Sequence, residues 1–297
     1  MNAFEYYLPK SAKEAAQLLK KYPDAMILAG GTDLLVRMKA RIFRPSVVID
    51  IKGLKNAAEI RFSAKSGLAL GPAVSVRKTE RSPVVLERYP ALADGAGFIG
   101  SVQIRNRATV IGNICNAAPS ADTAPGVIVH GGKVNIVGPK GRRSILAEDF
   151  MKGPGKRDLK RGEFAAGITI PTPPARTGSA YVRHTPRVAM DIAVVGVGAA
   201  VTLAPKSNVA KDVKICLGAV APIPLRAVEA ESILRGSELT DQRIAEAAIA
   251  AAAEAKPISD IRASEDFRRE LVRVLTQRMV SAAADNARTP IAKRRAA

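Results

Sequence analysis

At 297 residues, 47% of them hydrophobic, the chain is long enough for two sizeable cores and too apolar to be disordered. Its only cysteines, Cys115 and Cys216, exclude a disulfide scaffold and any all-cysteine iron–sulfur or zinc site, and fit a reducing, cytoplasmic setting. The net charge of +19 suggests an anionic or acidic partner or a basic solvated surface, yet 4% aromatics, no Trp and cations spread along the chain disfavour nucleic-acid binding.

The N-terminus has no basic segment followed by an apolar one, so no secretory signal is expected. Ser11 and Glu14 form a capping-box pattern, and Ala15, Leu18 and Leu19 continue it at helical spacing until Tyr22-Pro23. Residues 25–28 read as a buried strand running into Gly30-Gly31, Leu34, Leu35 and Met38 as a short helix, and 47–51 as the next strand. The opening region is thus β-α-β-turn-α-β. Strands at 59–62 and 68–71 flank a Lys65-Ser66-Gly67 turn, and Pro83 and Pro90 each open a helix. A short strand is expected at 108–111, a helix at 124–130, a hairpin from 134–137 and 144–146, and a strand at 164–170. Cations cluster at 140–143, 156–161 and 293–295.

Residues 171–179, rich in Pro and ending Thr177-Gly178-Ser179, make the best domain boundary. Beyond it, 180–184, 191–203 and 213–220 read as antiparallel strands. The apolar run 192–203 has about half the residues of a membrane span. Helices follow at 226–234, 240–255 and after Ser264, and the tail from Arg288 is expected to fray.

Two small-residue segments about 80 positions apart carry the chemistry: Ala29-Gly30-Gly31-Thr32-Asp33-Leu34, and 109–122, which reads TVIGNICNAAPSAD. Glycine lacks a Cβ to block close approach, and consecutive turn amides form an anion nest. Thr32, Asp33, Thr109, Asn113, Asn116 and Asp122 add side-chain oxygens and amides. Asp33 is placed to cap the helix that follows. Each segment alone also reads as an ordinary capped turn or a self-satisfied polar loop. Neither is GxGxxG nor GxxxxGK[ST], so no Rossmann fingerprint or Walker loop is present.

Together the two segments resemble the FAD-binding subunit of the molybdenum hydroxylase family, the xanthine dehydrogenase and carbon monoxide dehydrogenase type. Two later segments extend the likeness over nearly the whole chain: RHTPRVAMDIA from Arg183 and DIRASEDFRR from Asp260. The resemblance implies an α+β fold. It would comprise a two-subdomain FAD-binding unit of the vanillyl-alcohol oxidase/p-cresol methylhydroxylase type over 1–175 (subdomains about 1–57 and 58–175), a C-terminal α+β domain over 180–287 and a flexible tail over 288–297. It also implies that Ala29, Gly30, Gly31, Thr32, Asp33 and Leu34 wrap the FAD diphosphate. Thr109, Val110, Ile111, Gly112 and Asn113 would line the other side, with Asn116 nearby. Asp122 would hold the ribityl or diphosphate region, and Arg183 and Arg187 would lie near the flavin.

His130 and His184 sit in no covalent-flavin motif, so FAD is expected to be non-covalent, and His130 reads as a helix-end residue. Two cysteines cannot supply the 4Fe–4S insertion of one family branch. The resemblance further implies a molybdopterin-binding large subunit, a small subunit with 2Fe–2S clusters and a dimer of such heterotrimers. In it this chain would pass electrons to NAD, a quinone or another acceptor and need no catalytic acid or base. The alternatives are a stand-alone FAD-dependent oxidoreductase and a nucleotide- or nucleic-acid-binding module without a redox role.

Overall fold

The computed structural model describes residues 1–291 and Arg294. The N-terminal region is a three-stranded parallel sheet built from β1 (Glu5–Tyr7), α1 (Ala12–Lys21), β2 (Met26–Leu28), α2 (Leu34–Lys39) and β3 (Val47–Asp50), in the order β1-β3-β2. As the middle strand of a parallel sheet, β3 is buried along its whole length, hence Val-Val-Ile. Ser11 caps α1 by accepting from the Glu14 amide at 3.1 Å. The reciprocal half of the capping box is displaced by one residue, because Glu14 accepts from the amide of Lys10. β2 is half-buried rather than buried.

The middle region is a five-stranded antiparallel sheet covered by helices. Its elements are β4 (Ile60–Ser63), β5 (Gly67–Leu70), α3 (Val76–Glu80), α4 (Pro83–Arg88), α5 (Pro90–Phe98), α6 (Val102–Arg107), α7 (Val110–Asn116), α8 (Thr123–Val129), β6 (Lys133–Gly138), β7 (Gly141–Leu146), α9 (Ala147–Phe150), β8 (Met151–Gly153), β9 (Lys156–Arg157) and β10 (Phe164–Ile170). The strand order is β4-β5-β10-β6-β7, and β8 and β9 pair as a separate hairpin. Leu92, Ile114, Val127, Ile136 and Ile168 meet in the core between helices and sheet. α5 and α8 cross so closely that a Cβ on Gly95 would lie 2.2 Å from the Asp122 carbonyl oxygen, and one on Gly126 2.6 Å from the Leu92 Cα.

The strand expected at 108–111 is absent. Thr109 is instead the N-cap of α7, its Oγ1 accepting from the Gly112 amide at 3.0 Å. Val110, Ile111 and Ile114 then bury one face of the helix. A four-residue apolar run fits either element, and the cap decides it.

The C-terminal region packs β11 (Thr177–His184), β12 (Val195–Leu203), β13 (Ala210–Gly218) and β14 (Leu225–Arg226) into an antiparallel sheet in that order. It is covered by α10 (Val228–Leu234), α11 (Asp241–Glu254) and α12 (Glu265–Arg288). Three boundaries differ from expectation. Thr177-Gly178-Ser179 belongs to β11 rather than to the linker: Thr177 and Thr202 join hydroxyls at 2.7 Å, and a Cβ on Gly178 would lie 2.2 Å from the Ala287 amide nitrogen of α12. β12 starts at Val195 rather than 191, because the Asp191 carboxylate accepts from the amides of Ile192 and Arg187 and holds a turn. Arg226 is a strand residue paired with Cys216, and its guanidinium grips Glu231, so α10 starts only at Val228.

The tail also departs from the expected fraying where it is described. Arg294 is buried and donates to the carbonyls of Thr289, Glu87 and Thr177. Residues 292–293 and 295–297, including Lys293 and Arg295 of the basic tail cluster, lie outside the described residues. Among the described residues no helix is long and apolar enough to cross a membrane.

Candidate cofactor site

The two glycine segments meet. A Cβ on Gly30 would fall 2.1 Å from the Arg107 carbonyl oxygen and 2.9 Å from the Ala108 Cα, so only glycine lets the first turn press against the chain entering α7. Gly31 has φ +79°, the left-handed region glycine enters without strain. Among the described residues the amides of Gly31, Thr32, Asp33 and Leu34 have no acceptor, and neither do those of Val110 and Ile111 at the start of α7. The first amides of a helix have no partner within it, and here those of two helix starts join the amides of the turn before α2 to form a cradle for an anion.

Asp33 does not cap α2, contrary to expectation. Its backbone is already helical, and its Oδ1 instead accepts from Asn116 Nδ2 at 3.4 Å, a link across the two segments. Asn113 is turned by Thr123, whose hydroxyl and amide donate to its Oδ1 at 2.6 and 3.3 Å. Removing the α7 cap tests this local architecture. Thr109→Val leaves the Gly112 amide without its acceptor and should lower unfolding free energy by about 1 kcal/mol in denaturant titration.

Both segments open into one cavity of about 1170 Å³. Ala29, Gly30, Gly31, Thr32, Asp33 and Leu34 line it from one side. Thr109, Ile111, Gly112, Asn113 and Asn116 line it from the other. Four candidate residues lie elsewhere. The Val110 side chain is buried on the core face of α7. Asp122 and Arg183 form a buried ion pair at 2.6 Å, with the Tyr181 hydroxyl donating to the other Asp122 oxygen at 2.8 Å and the Arg183 guanidinium over the Phe98 ring. Burial pushes the Asp122 carboxyl up to about 6, against the pull of Arg183 and Tyr181. Arg187 is exposed and held by Asp191. Each of the two arginines therefore already faces a carboxylate.

His130 does end α8, where its Nε2 meets the Ser179 hydroxyl at 2.9 Å, and burial lowers its pKa to about 3, so it is neutral. His184 packs edge-on against Phe267. Cys115 is on the cavity wall, and burial pushes its thiol up to about 12, which makes it a poor nucleophile. No cluster of metal-ligating side chains occurs among the described residues.

Two contributors escaped the sequence reading. Tyr181, whose partner Asp122 is 59 positions away, gave no local signal. The cations at 156–161 are visible as a charge run, but only the fold brings them, with Lys152, to the cavity wall.

This combination defines an anion-cradling cavity between a parallel-sheet unit and an antiparallel-sheet unit, with a further antiparallel sheet C-terminal to them. Residues 2–173 match the FAD binding domain in molybdopterin dehydrogenase, and residues 180–283 the CO dehydrogenase flavoprotein C-terminal domain. The chain is 34% identical to the carbon monoxide dehydrogenase medium chain of Hydrogenophaga pseudoflava, over 94% of this chain and 96% of that one. It is 31% identical to the xanthine dehydrogenase FAD-binding subunit of Escherichia coli O157:H7, over 94% and 95%. Among solved structures, carbon monoxide dehydrogenase from H. pseudoflava lacking the Mo-pyranopterin moiety superposes with a TM-score of 0.90 at 32% identity, covering 96% of this chain and 98% of that chain. Quinoline 2-oxidoreductase from Pseudomonas putida 86 gives 0.89 at 31%, covering 97% and 99%. The chain belongs to the FAD-binding subunits of the molybdenum hydroxylase family and is an oxidoreductase component.

Proposed function

We propose that this chain is the electron-exit subunit of a heterotrimeric molybdenum-containing hydroxylase, working in the cytoplasm beside a molybdopterin-binding large subunit and a 2Fe–2S small subunit, in a dimer of heterotrimers. The observation that carries this reading is the pair of facing turns whose orphan amides open into one cavity. In it, the amides of Gly31 to Leu34 and of Val110 and Ile111 take the FAD diphosphate, while Thr32, Gly112, Asn113 and Asn116 hold its flanks. Asp122, fixed by Arg183 and Tyr181, sets the position of α8 and through Thr123 the orientation of Asn113. Arg187, on the chain leaving β11, is held by Asp191 away from the cavity lining. Bound FAD supplies one- and two-electron transfer, and the protein's part is to bind, orient and shield it.

The boundaries follow the same reading: FAD-binding subdomains over about 1–57 and 58–175, then a C-terminal domain over 180–287. A stand-alone oxidase would need a base poised over a substrate, and neither neutral, buried His130 nor His184 against Phe267 is so placed. The expected result is a yellow purified protein with the absorbance of oxidised flavin, released by denaturation without a covalent adduct. Pull-down of the tagged chain should recover subunits carrying molybdenum and iron, encoded in neighbouring reading frames. A colourless folded protein that takes up no added FAD would overturn the proposal, and a yellow one that purifies alone with its own substrate turnover would favour the oxidase.

A further inference from the structure

The glycine turns supply hydrogen-bond donors but no positive charge, and Asp33 adds a negative one. Neither 29–34 nor 109–116 contains a Lys or Arg. A diphosphate brings two negative charges out of water, and its counter-charge must come from elsewhere in the cavity. Among the described residues six cations line that cavity: Arg37, Lys152, Lys156, Arg157, Lys160 and Arg161. None of them makes a salt bridge among the described residues, although most of the other arginines beyond residue 180 do. Among the described residues the same wall carries three carboxylates, Asp24, Asp33 and Glu163, of which Glu163 is paired with Arg143, so the cations outnumber the acids. The cavity field is therefore positive, and it comes mostly from one ten-residue stretch.

That stretch is tied to the second glycine segment. The Gly155 amide donates to the Ala117 carbonyl at 3.0 Å, closing the C-terminal end of α7, where Ala117 is left-handed at φ 49°. Arg157 Nη1 reaches the Cys115 carbonyl at 3.5 Å and the Gly155 carbonyl at 3.3 Å, both long contacts for a guanidinium on an exposed side chain. The hairpin of β8 and β9 is thus anchored through its backbone, while its cationic head is only loosely engaged and can turn to an anion.

We propose that the basic arm at 152–161, led by Lys156 and Arg157, closes over the diphosphate from the C-terminal end of α7, to which it is tied, and that its charge makes this site select flavin dinucleotide over uncharged flavin. The proposal rests on the reading of the cavity as the FAD site. Charge-assisted hydrogen bonds to phosphate are stronger than neutral ones, and those on an exposed arm weaken with salt.

The test uses the holoprotein stripped of flavin and titrated with FAD and with riboflavin, which has no phosphate. The double substitution Lys156→Gln with Arg157→Gln replaces two exposed charged side chains by neutral polar ones and should leave the thermal midpoint of the stripped protein unchanged. FAD affinity should fall about tenfold, as expected for two partly exposed charge contacts. Riboflavin affinity should not change, and the salt dependence of FAD binding should become shallower. Equal loss of FAD and riboflavin, or unchanged FAD affinity with an unchanged salt dependence, would overturn the proposal while leaving the FAD reading intact. Retained FAD affinity with lost recovery of partner subunits would make the arm an assembly surface and overturn it as well. If the wild-type chain takes up no FAD, the parent reading fails and this one with it.

Discussion

Gly30→Val is expected to abolish flavin retention in a protein that still folds. A Cβ at this position would lie 2.1 Å from the Arg107 carbonyl oxygen and 2.9 Å from the Ala108 Cα. Both are backbone atoms, with no rotamer through which to yield, so the two segments must part. Parting them removes the Val110 and Ile111 amides from the amides of Gly31 to Leu34. Losing two donors to a charged group costs roughly 3 kcal/mol or more, which is about a hundredfold in affinity. The overpacking itself should take about 1–3 kcal/mol from stability, because the clash lies at a cavity edge where α2 can shift outward. Absorbance of the purified variant, with circular dichroism to confirm its fold, checks this. Full FAD occupancy would show that the close approach of the turns is not what holds the cofactor.

The largest stability effect is expected from Arg183→Met. Arg183 and Asp122 are both almost wholly buried and 2.6 Å apart, so removing the cation strands a carboxylate with only the Tyr181 hydroxyl beside it. Breaking a buried pair from one side costs about 3–5 kcal/mol at neutral pH. Acid should relieve that cost. Asp122 already has its carboxyl raised to about 6 by burial, and losing Arg183 moves it in the same direction, so below that range the group is neutral and nothing is stranded. Adding Asp122→Asn to Arg183→Met should recover most of the loss.

The wild-type protein carries the same signature. A carboxyl raised from its ordinary 3.8 to about 6 binds its proton more tightly when folded than when unfolded. Its contribution to stability is therefore fully present below about 4 and lost as pH rises to about 6. Denaturant titrations of wild type and Asp122→Asn across that interval isolate it: the difference in unfolding free energy should fall with rising pH. A flat difference would mean that Arg183 already compensates the burial.

The parts of the fold that could be read in the sequence are those where a local rule operates alone. β10 was legible to the residue because it is an apolar run ended by Pro171, and α12 because Ser264 caps a long amphipathic repeat. Errors fall where a side chain ties the backbone over a distance that periodicity does not sense. Thr109 converts an apolar run into α7, Asp191 delays β12, and Glu231 draws Arg226 into β14. At the site, the glycine turns could be found because the two segments together resemble a family pattern, whereas each alone also reads as an ordinary capped turn or polar loop. That Asp33 would face Asn116, or that Asp122 would be enclosed with Tyr181 and Arg183, depends on contacts 59 to 83 positions apart that only the packed chain creates.

Arg294 has a practical consequence for handling the protein. Its guanidinium reaches the Glu87 carbonyl at the end of α4 and the Thr177 carbonyl at the start of β11, fastening the cofactor-bearing half to the C-terminal sheet. Purification handles and trimming at that end would pull on this seam. Met1, 52% exposed, offers a place to fuse them where no such fastening would be disturbed.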